Sequence, residues 1–386
     1  MAPISDSTQT HSDTHEAEEF QATSGISTST EGRRRKAGRL RALSDDPDLR
    51  RRFDQLKRLG GTIRSSEYHL TNACNIRCEG CWFFAYDFQK QSHEASDLAV
   101  WEKFAKDQAA RGVTAALLIG GEPTLHLDRV ACFVDAMDHV TISSNGLKPF
   151  PSDGFESVAV ALTLFGGAAQ DDQMRAIKPN GDRFSGLFQT ALGNYKDDPR
   201  ATFIYALDEL SPESIEPTVH RIADNGNLVS FNYYTPYGLD AGTVDADSGE
   251  RLIEEATRVA ELYPETVLSH PYYIRALVSG KTEWGHFGYE SCPSISVDNP
   301  VHYDRLQNGN PVLPGFNAYA ADAEKLSFCC TSGHCDGCRD SQAVHSWLMT
   351  NVRKFLRMEG GVRLWVEVSE SYWKQFVWSD LHPSRQ

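Results

Sequence analysis

The chain lacks the features that mark membrane, exported and nucleic-acid-binding proteins. No run of eighteen apolar residues occurs among its 386 residues, so no membrane-spanning helix is expected. No apolar signal core follows the first residues, so we expect a cytoplasmic rather than an exported protein. Basic residues are scarce: 38 Lys and Arg stand against 53 Asp and Glu, a net charge of −15. This acid excess argues against a nucleic-acid partner, which would select a basic face.

Several ligand-binding motifs are also missing. No HExxH metalloprotease motif occurs. Gly280-Lys281-Thr282 ends like a P-loop, but Arg275 stands where the first glycine should be. Asp245-Ala246-Asp247 has no downstream Glu to complete a calcium loop. These absences argue against a zinc protease, a P-loop NTPase and an EF-hand protein.

Residues 1–44 differ in composition from the rest of the chain. Positions 1–32 are rich in Ser and Thr and contain acids but no Lys or Arg, and a basic block follows at 33–41. The two charge groups cancel, so the whole net charge belongs to the residues from Asp45 onward. A segment with so few apolar residues cannot bury enough surface to order itself, and we predict a disordered tail.

From residue 45 the pattern alternates between strands and helices. Apolar, β-rich runs predict strands near 64–70, 113–119, 139–144, 157–165, 201–207 and 228–234. Helical patterns lie near 47–59, 95–111, 126–137, 184–195, 211–225 and 249–262. This order predicts an α/β fold, a partial (β/α)6 TIM-like barrel over 45–265, with a site at the C-terminal strand ends. After about 265 the alternation is lost, which predicts a small irregular C-terminal domain over 266–386.

The most informative motif is a cysteine loop after the first predicted strand. Cys74, Cys78 and Cys81 form a CxxxCxxC pattern, and nine cysteines in a reducing compartment are more often metal ligands than disulfides. Three thiolates at this spacing can hold three irons of a [4Fe–4S] cluster and leave the fourth iron open. A structural zinc site is the alternative, although it requires a fourth ligand, for which His69 is a weak candidate.

This loop resembles that of the radical S-adenosylmethionine (SAM) superfamily, and two further segments agree. Gly120-Gly121-Glu122-Pro123 after the second strand resembles the GGEP motif, which holds the amino group of SAM in that family. Ser143-Ser144-Asn145 at the end of the next strand resembles the segment that contacts the ribose or carboxylate. The resemblance covers about residues 64–240. It implies a [4Fe–4S] cluster, SAM as cofactor, formation of a 5′-deoxyadenosyl radical, and an electron donor such as flavodoxin or ferredoxin.

Polar residues at other strand ends are candidates for contacts with SAM or substrate. Thr163 is a candidate for cofactor binding, and Tyr205 and Asp208 are candidates for catalysis. One position departs from the family. Many members carry an aromatic residue before the third cysteine that packs on the SAM adenine, whereas this chain has Gly80. Adenine packing must then come from elsewhere, with Trp82 and Phe83 as candidates.

A second group of cysteines lies beyond the predicted barrel. Its position and its CxxC spacing resemble the Twitch and SPASM extensions of radical SAM enzymes, which hold auxiliary [4Fe–4S] clusters. The expected ligands are Cys292, Cys335, Cys338 and one or both of Cys329 and Cys330. If one of that adjacent pair is spare, its thiol could donate hydrogen to a substrate radical. Zinc or free thiols remain alternatives.

Three functions are open at this level. The first is a radical SAM enzyme that oxidises or epimerises a small molecule derived from a sugar, nucleoside or amino acid in specialised metabolism. It is favoured because the region before Arg64 holds only a polar tail and one short helix. The second is a radical SAM peptide maturase. The third is a non-catalytic Fe–S or zinc protein.

Overall fold

The fold is seen in a computed structural model. The residues that it describes are 41, 43, 45–85, 87–234, 246–280, 298, 316–327, 339–350, 352–355, 358–376 and 379–383. The predicted tail at 1–44 lies outside them except for residues 41 and 43. The predicted auxiliary ligands Cys292, Cys329, Cys330, Cys335 and Cys338 also lie outside the described residues.

A parallel sheet forms the centre of the fold, and its first six strands fall where the sequence predicts them. They are β1 (Ser65–His69), β2 (Ala115–Ile119), β3 (His139–Ser144), β4 (Val158–Phe165), β5 (Ala201–Leu207) and β6 (Leu228–Tyr233). Two short strands follow, β7 (Ala318–Tyr319) and β8 (Leu326–Ser327). The sheet order is β6-β5-β4-β3-β2-β1-β7-β8, with β7 parallel to β1 and β8 antiparallel to β7. The predicted α/β fold is confirmed, and the sheet extends beyond six strands.

Helices connect the strands and cover one face of the sheet. In chain order they are α1 (Pro47–Thr62), α2 (Trp82–Ala85), α3 (Phe88–Gln91), α4 (Leu98–Ala110), α5 (Leu127–Ala136), α6 (Ala168–Arg175), α7 (Leu187–Asn194), α8 (Ile215–Asp224), α9 (Ala246–Leu262), α10 (Pro271–Ser279), α11 (Ser341–Thr350), α12 (Val352–Phe355) and α13 (Gly361–Trp373). The start of α1 follows the expected chemistry. The Asp46 side chain caps α1 by accepting from Leu49 N at 3.0 Å, with Pro47 at the first position. The helix α6 lies where the sequence predicts none.

Alternation along the strands separates the hydrophobic core from the concave face of the sheet. One set of side chains packs under the helices and is almost fully buried, as in Tyr68 of β1 and Leu118 of β2. The intervening residues, such as Ile119 of β2 and Ser143 of β3, are only partly buried because they face a cavity. Successive residues along a strand therefore differ in burial, and the partly buried ones show that the concave face of the sheet forms the site.

The described C-terminal residues pack onto the same body. Arg52 of α1 makes a two-bond ion pair with Glu370 of α13, with Nε to Oε1 at 2.8 Å and Nη2 to Oε2 at 2.7 Å. Tyr319 of β7 stacks on Tyr68 of β1 with a ring-centroid distance of 5.7 Å. Within the described ranges, no helix is long and apolar enough to cross a membrane.

Candidate functional site

A cavity of about 350 Å³ lies at the C-terminal end of the parallel strands. The loops after β1, β2 and β3 and the ends of β4, β5 and β6 contribute to it. Of the residues predicted from the sequence, it is lined by Cys74, Cys78, Cys81, Gly120, Gly121, Glu122, Ser143, Ser144, Asn145 and Thr163. The topology thus brings the three motifs together, as expected for the carboxyl ends of parallel strands.

The cysteine loop is held in place by its backbone. Arg77 N donates to the carbonyl of Ile177 at 2.7 Å, and Glu79 N donates to that of Met174 at 2.7 Å. The Arg77 guanidinium donates to the carbonyls of Cys74 and Ile76 at 3.0 and 2.9 Å. These bonds fix the loop against the segment after β4.

All three cysteines of the loop are free thiols that face the cavity. Burial raises the pKa of Cys74 to about 12 and that of Cys78 to about 11. For Cys78 this rise is opposed by the positive charge of Arg175. A buried thiol with a raised pKa forms a thiolate only where a positive charge beside it offsets the cost of burying the negative charge.

The Gly120–Glu122 segment lies directly on the loop that carries the cysteines. Gly121 N donates to the carbonyl of Thr71 at 2.8 Å, and Glu122 N donates to that of Ala73 at 2.9 Å. A Cβ atom on Gly121 would lie 1.9 Å from the Ala73 carbonyl oxygen. Only glycine permits this approach, so the loops after β1 and β2 form one unit.

Glu122 is a buried carboxylate on the cavity wall, and its side chain is 1% exposed. Its Oε1 accepts from the Thr124 backbone N and Oγ1 at 3.1 and 2.8 Å, and its Oε2 accepts from Asn145 N at 2.8 Å. Burial raises the pKa of Glu122, and these hydrogen bonds oppose the rise. No cationic side chain pairs with it among the described residues, which suits a cationic ligand.

Asn145 connects the three motifs. Its backbone N donates to Glu122, and its Nδ2 donates to Oδ1 of Asn75 at 2.7 Å. The same Nδ2 lies 3.9 Å from Sγ of Cys74. One residue at the end of β3 therefore contacts both the GGEP segment and the cysteine loop.

A buried ion pair stands behind the second cysteine. Arg175, 2% exposed, donates from Nη1 to Oδ1 of Asp171 at 2.9 Å and to the carbonyl of Thr163. Asp171 in turn accepts from Phe165 N at 2.8 Å. Both charges are buried, so the pair holds a guanidinium rigidly at the cavity beside Cys78.

Three predicted site residues lie outside the lining of the cavity. Tyr205 is buried on the helix side of β5 against Phe231, while its neighbours Ile204 and Ala206 line the cavity. Asp208 accepts from Gln170 Nε2 at 3.0 Å and from Leu210 N at 2.9 Å. Pro123 is buried at the start of a short 3-10 turn.

Sequence reasoning missed two acidic residues of the cavity, Glu67 and Asp340. Glu67 of β1 lines the cavity and is 6% exposed, with its Oε1 3.5 Å from Nε2 of His69. The sequence contains a pattern that could have identified Glu67. In this strand Ser65, Glu67 and His69 alternate with Ser66 and Tyr68, so a charged residue lies on one face of a central strand. A carboxylate inside a parallel sheet is rare enough to indicate a site.

Among the described residues, no three Cys, His, Asp or Glu side chains converge on a position for a single metal ion. Cys74, Cys78 and Cys81 all line the cavity.

Comparisons with known proteins found similar chains among the solved structures. No family model matches the chain, and no curated protein matches it. Among solved structures, the chain is similar to anSMEcpe with bound AdoMet, at 11% identity over 56% of this chain and 65% of that one, with a TM-score of 0.42. It is also similar to Streptococcus suis SuiB bound to S-adenosylmethionine, at 15% identity over 57% and 55%, with a TM-score of 0.40.

The SuiB structure bound to precursor peptide SuiA is similar at 17% identity over 58% of this chain and 54% of that one, with a TM-score of 0.41. The chain thus spans less than two thirds of the length of these proteins. Similarity at this level assigns neither family nor function.

Proposed function

We propose that this chain is a radical SAM enzyme, with a [4Fe–4S] cluster on Cys74, Cys78 and Cys81 and with SAM in the adjoining cavity. The observation that carries the proposal is the position of Asn145, which contacts the GGEP segment and the cysteine loop at once. Motifs that are separate in the sequence thus line one cavity. A chance match of either motif would not require this convergence.

The donor set fits both groups. A [4Fe–4S] cluster takes thiolate ligands, and three thiols carried by one loop line the cavity. The buried carboxylate of Glu122 fits the ammonium of SAM, because a carboxylate without a protein cation favours a charged partner.

When bound and reduced, the cluster would supply the electron that cleaves SAM to methionine and a 5′-deoxyadenosyl radical. The residues of this chain have other tasks. Glu122 would orient the amino group of SAM, and the hydroxyls of Ser143 and Thr163 would line the part of the cavity beside the ribose of SAM. Arg175 would place positive charge beside a thiolate ligand. The walls of the cavity would exclude water from a reactive intermediate.

The substrate class is a separate part of the proposal. The small-molecule expectation gains no support, since two of the similar solved structures carry a peptide: anSMEcpe with Cp18Cys peptide, and SuiB with precursor peptide SuiA. A peptide substrate agrees with these better, and we place it first. The cavity of about 350 Å³ is at the small end for one ligand. A substrate would therefore present only its reacting group to the cavity, whose lining also includes Asn232 and Gln342.

Iron analysis and EPR test the cluster assignment. The anaerobically reconstituted chain should lose about four iron atoms when Cys74, Cys78 and Cys81 are all replaced by Ala. The wild-type EPR signal should also change when SAM is added. Cys132→Ala, on the buried face of α5, is the matched control and should keep its iron. A triple variant that retains both its iron content and its response to SAM would refute the assignment.

A further inference from the structure

The cysteine loop and the end of β6 approach each other unusually closely at Gly80. This residue has a φ of +67°, a conformation that favours glycine. A Cβ atom built on Gly80 would lie 2.4 Å from Oη and 3.2 Å from Cζ of Tyr234. The phenol group of Tyr234 therefore occupies the place into which a side chain at position 80 would point.

Tyr234 is firmly positioned there. Its backbone N donates to the carbonyl of Leu207 at 2.8 Å, which extends the pairing of β6 with β5 by one residue. Its ring packs edge-on to Phe165 of β4, with centroids 5.1 Å apart and planes at 65°. Tyr234, Phe165 and Gly80 all line the cavity, so the two rings form an aromatic wall beside the cysteine loop.

The other aromatic residues near the loop are packed against one another. Phe83 is 1% exposed and contacts Trp82, Phe84 and Phe88 at centroid distances of 5.8, 5.2 and 6.0 Å. Trp82 also packs on Phe88 and on His69, at 5.1 and 5.7 Å. Trp82, Phe83 and Phe84 also line the cavity, and Trp82 is half-buried. Tyr234 is half-buried, and its aromatic contact among the described residues is with one ring, that of Phe165.

We propose that Tyr234 binds the adenine ring of SAM and that residue 80 is glycine because the Tyr234 phenol fills the space of its side chain. The proposal rests on the proposed function. It replaces Trp82 and Phe83, the candidates from the sequence, with an aromatic residue carried by β6. The ligand group is a flat, neutral purine, which a tyrosine face binds by stacking without a fixed hydrogen-bond pattern.

Calorimetric binding to the anaerobic holoprotein tests this with three probes: SAM, 5′-deoxyadenosine and methionine. Tyr234→Ala should weaken the binding of SAM and 5′-deoxyadenosine by roughly 5- to 150-fold, the range of one lost stacking contact. Methionine should bind as in the wild type because it has no adenine. Tyr234→Phe keeps the ring and should restore SAM binding to within about threefold. Trp82→Ala should have a smaller effect than Tyr234→Ala.

A double-mutant cycle tests the link to Gly80. Gly80→Ala alone should weaken SAM binding, since its Cβ displaces Tyr234. In the Tyr234→Ala background the same change should cost much less. The proposal is overturned if Tyr234→Ala binds SAM like the wild type, if it loses methionine equally, or if only Trp82→Ala reduces affinity. A wild-type holoprotein that binds no SAM at all would instead refute the proposed function.

Discussion

Replacement of Glu122 by Gln changes one atom in the buried part of the site and should weaken SAM binding strongly. The carboxylate accepts three hydrogen bonds, two from Thr124 at Oε1 and one from Asn145 N at Oε2. A glutamine that keeps the Thr124 bonds must point its NH₂ at the backbone N–H of Asn145, 2.8 Å away. Two donors then face each other in a site that is 1% exposed, which costs about 1–3 kcal/mol.

The larger effect should be on the ligand. Loss of a charge-assisted hydrogen bond to the SAM ammonium costs about 1.5–3 kcal/mol, or a roughly 10- to 150-fold increase in Kd. Equilibrium binding of SAM to the anaerobic holoprotein measures it. The matched control is Glu79→Gln in the cysteine loop, because Glu79 makes an exposed ion pair with Arg183, at 50% and 53% exposure. Exposed pairs contribute about 0–1 kcal/mol. Equal affinity of Glu122→Gln and wild type would refute the role given to this carboxylate.

Three further predictions concern the supports of the site. Gly121→Ala should lower cluster content, because its Cβ would meet the Ala73 carbonyl at 1.9 Å; Gly193→Ala, with open space around it, should leave iron per chain unchanged. Arg175→Met should make the midpoint potential about 60–130 mV more negative in EPR-monitored titrations, since it removes positive charge beside a cluster thiolate. Arg175→Lys should recover most of that shift, and an unchanged potential in the Met variant would contradict the role of Arg175. Burial and the charge of Lys374 lower the pKa of His270 to about 4. Because the histidine of the unfolded chain takes up its proton near pH 6.5, the free energy of unfolding is highest above about pH 6.5 and decreases as the pH falls towards 4. Between pH 7 and 5, the free energy of unfolding measured with denaturant should decrease by about 2 kcal/mol more in the wild type than in His270→Asn. Asn is the control because its side chain can keep the cap of the helix. An equal decrease in the two proteins would contradict this prediction.

The six main strands could be predicted because each is a β-rich run bounded by turn residues. The helix α6 could not: it follows Gly166-Gly167 and has little apolar periodicity, since its buried residues are the charged pair Asp171 and Arg175. The strands β7 and β8 have two residues each and leave no pattern in the sequence. The pairing of β7 with β1 and of β8 with β7 decides their position.

Within the site, the spacing of Cys74, Cys78 and Cys81 and the GGEP segment were sufficient to predict residues that line one cavity. Residues that reach the cavity from distant strands could not be identified without knowing the order and register of the strands. Tyr205 shows the reason, because a one-residue change along β5 moves a side chain from the cavity face to the helix face. The contact of Tyr234 with Gly80 joins segments more than 150 residues apart, and no local pattern records it.

Cleavage of SAM tests the central claim most directly. The reconstituted chain is incubated anaerobically with SAM and dithionite, and 5′-deoxyadenosine is measured by chromatography against the Cys78→Ala variant. We predict that the wild type forms 5′-deoxyadenosine and methionine in equal amounts and that the variant forms neither. A wild-type chain with an intact cluster that forms no 5′-deoxyadenosine would contradict the assignment of this site to radical SAM chemistry.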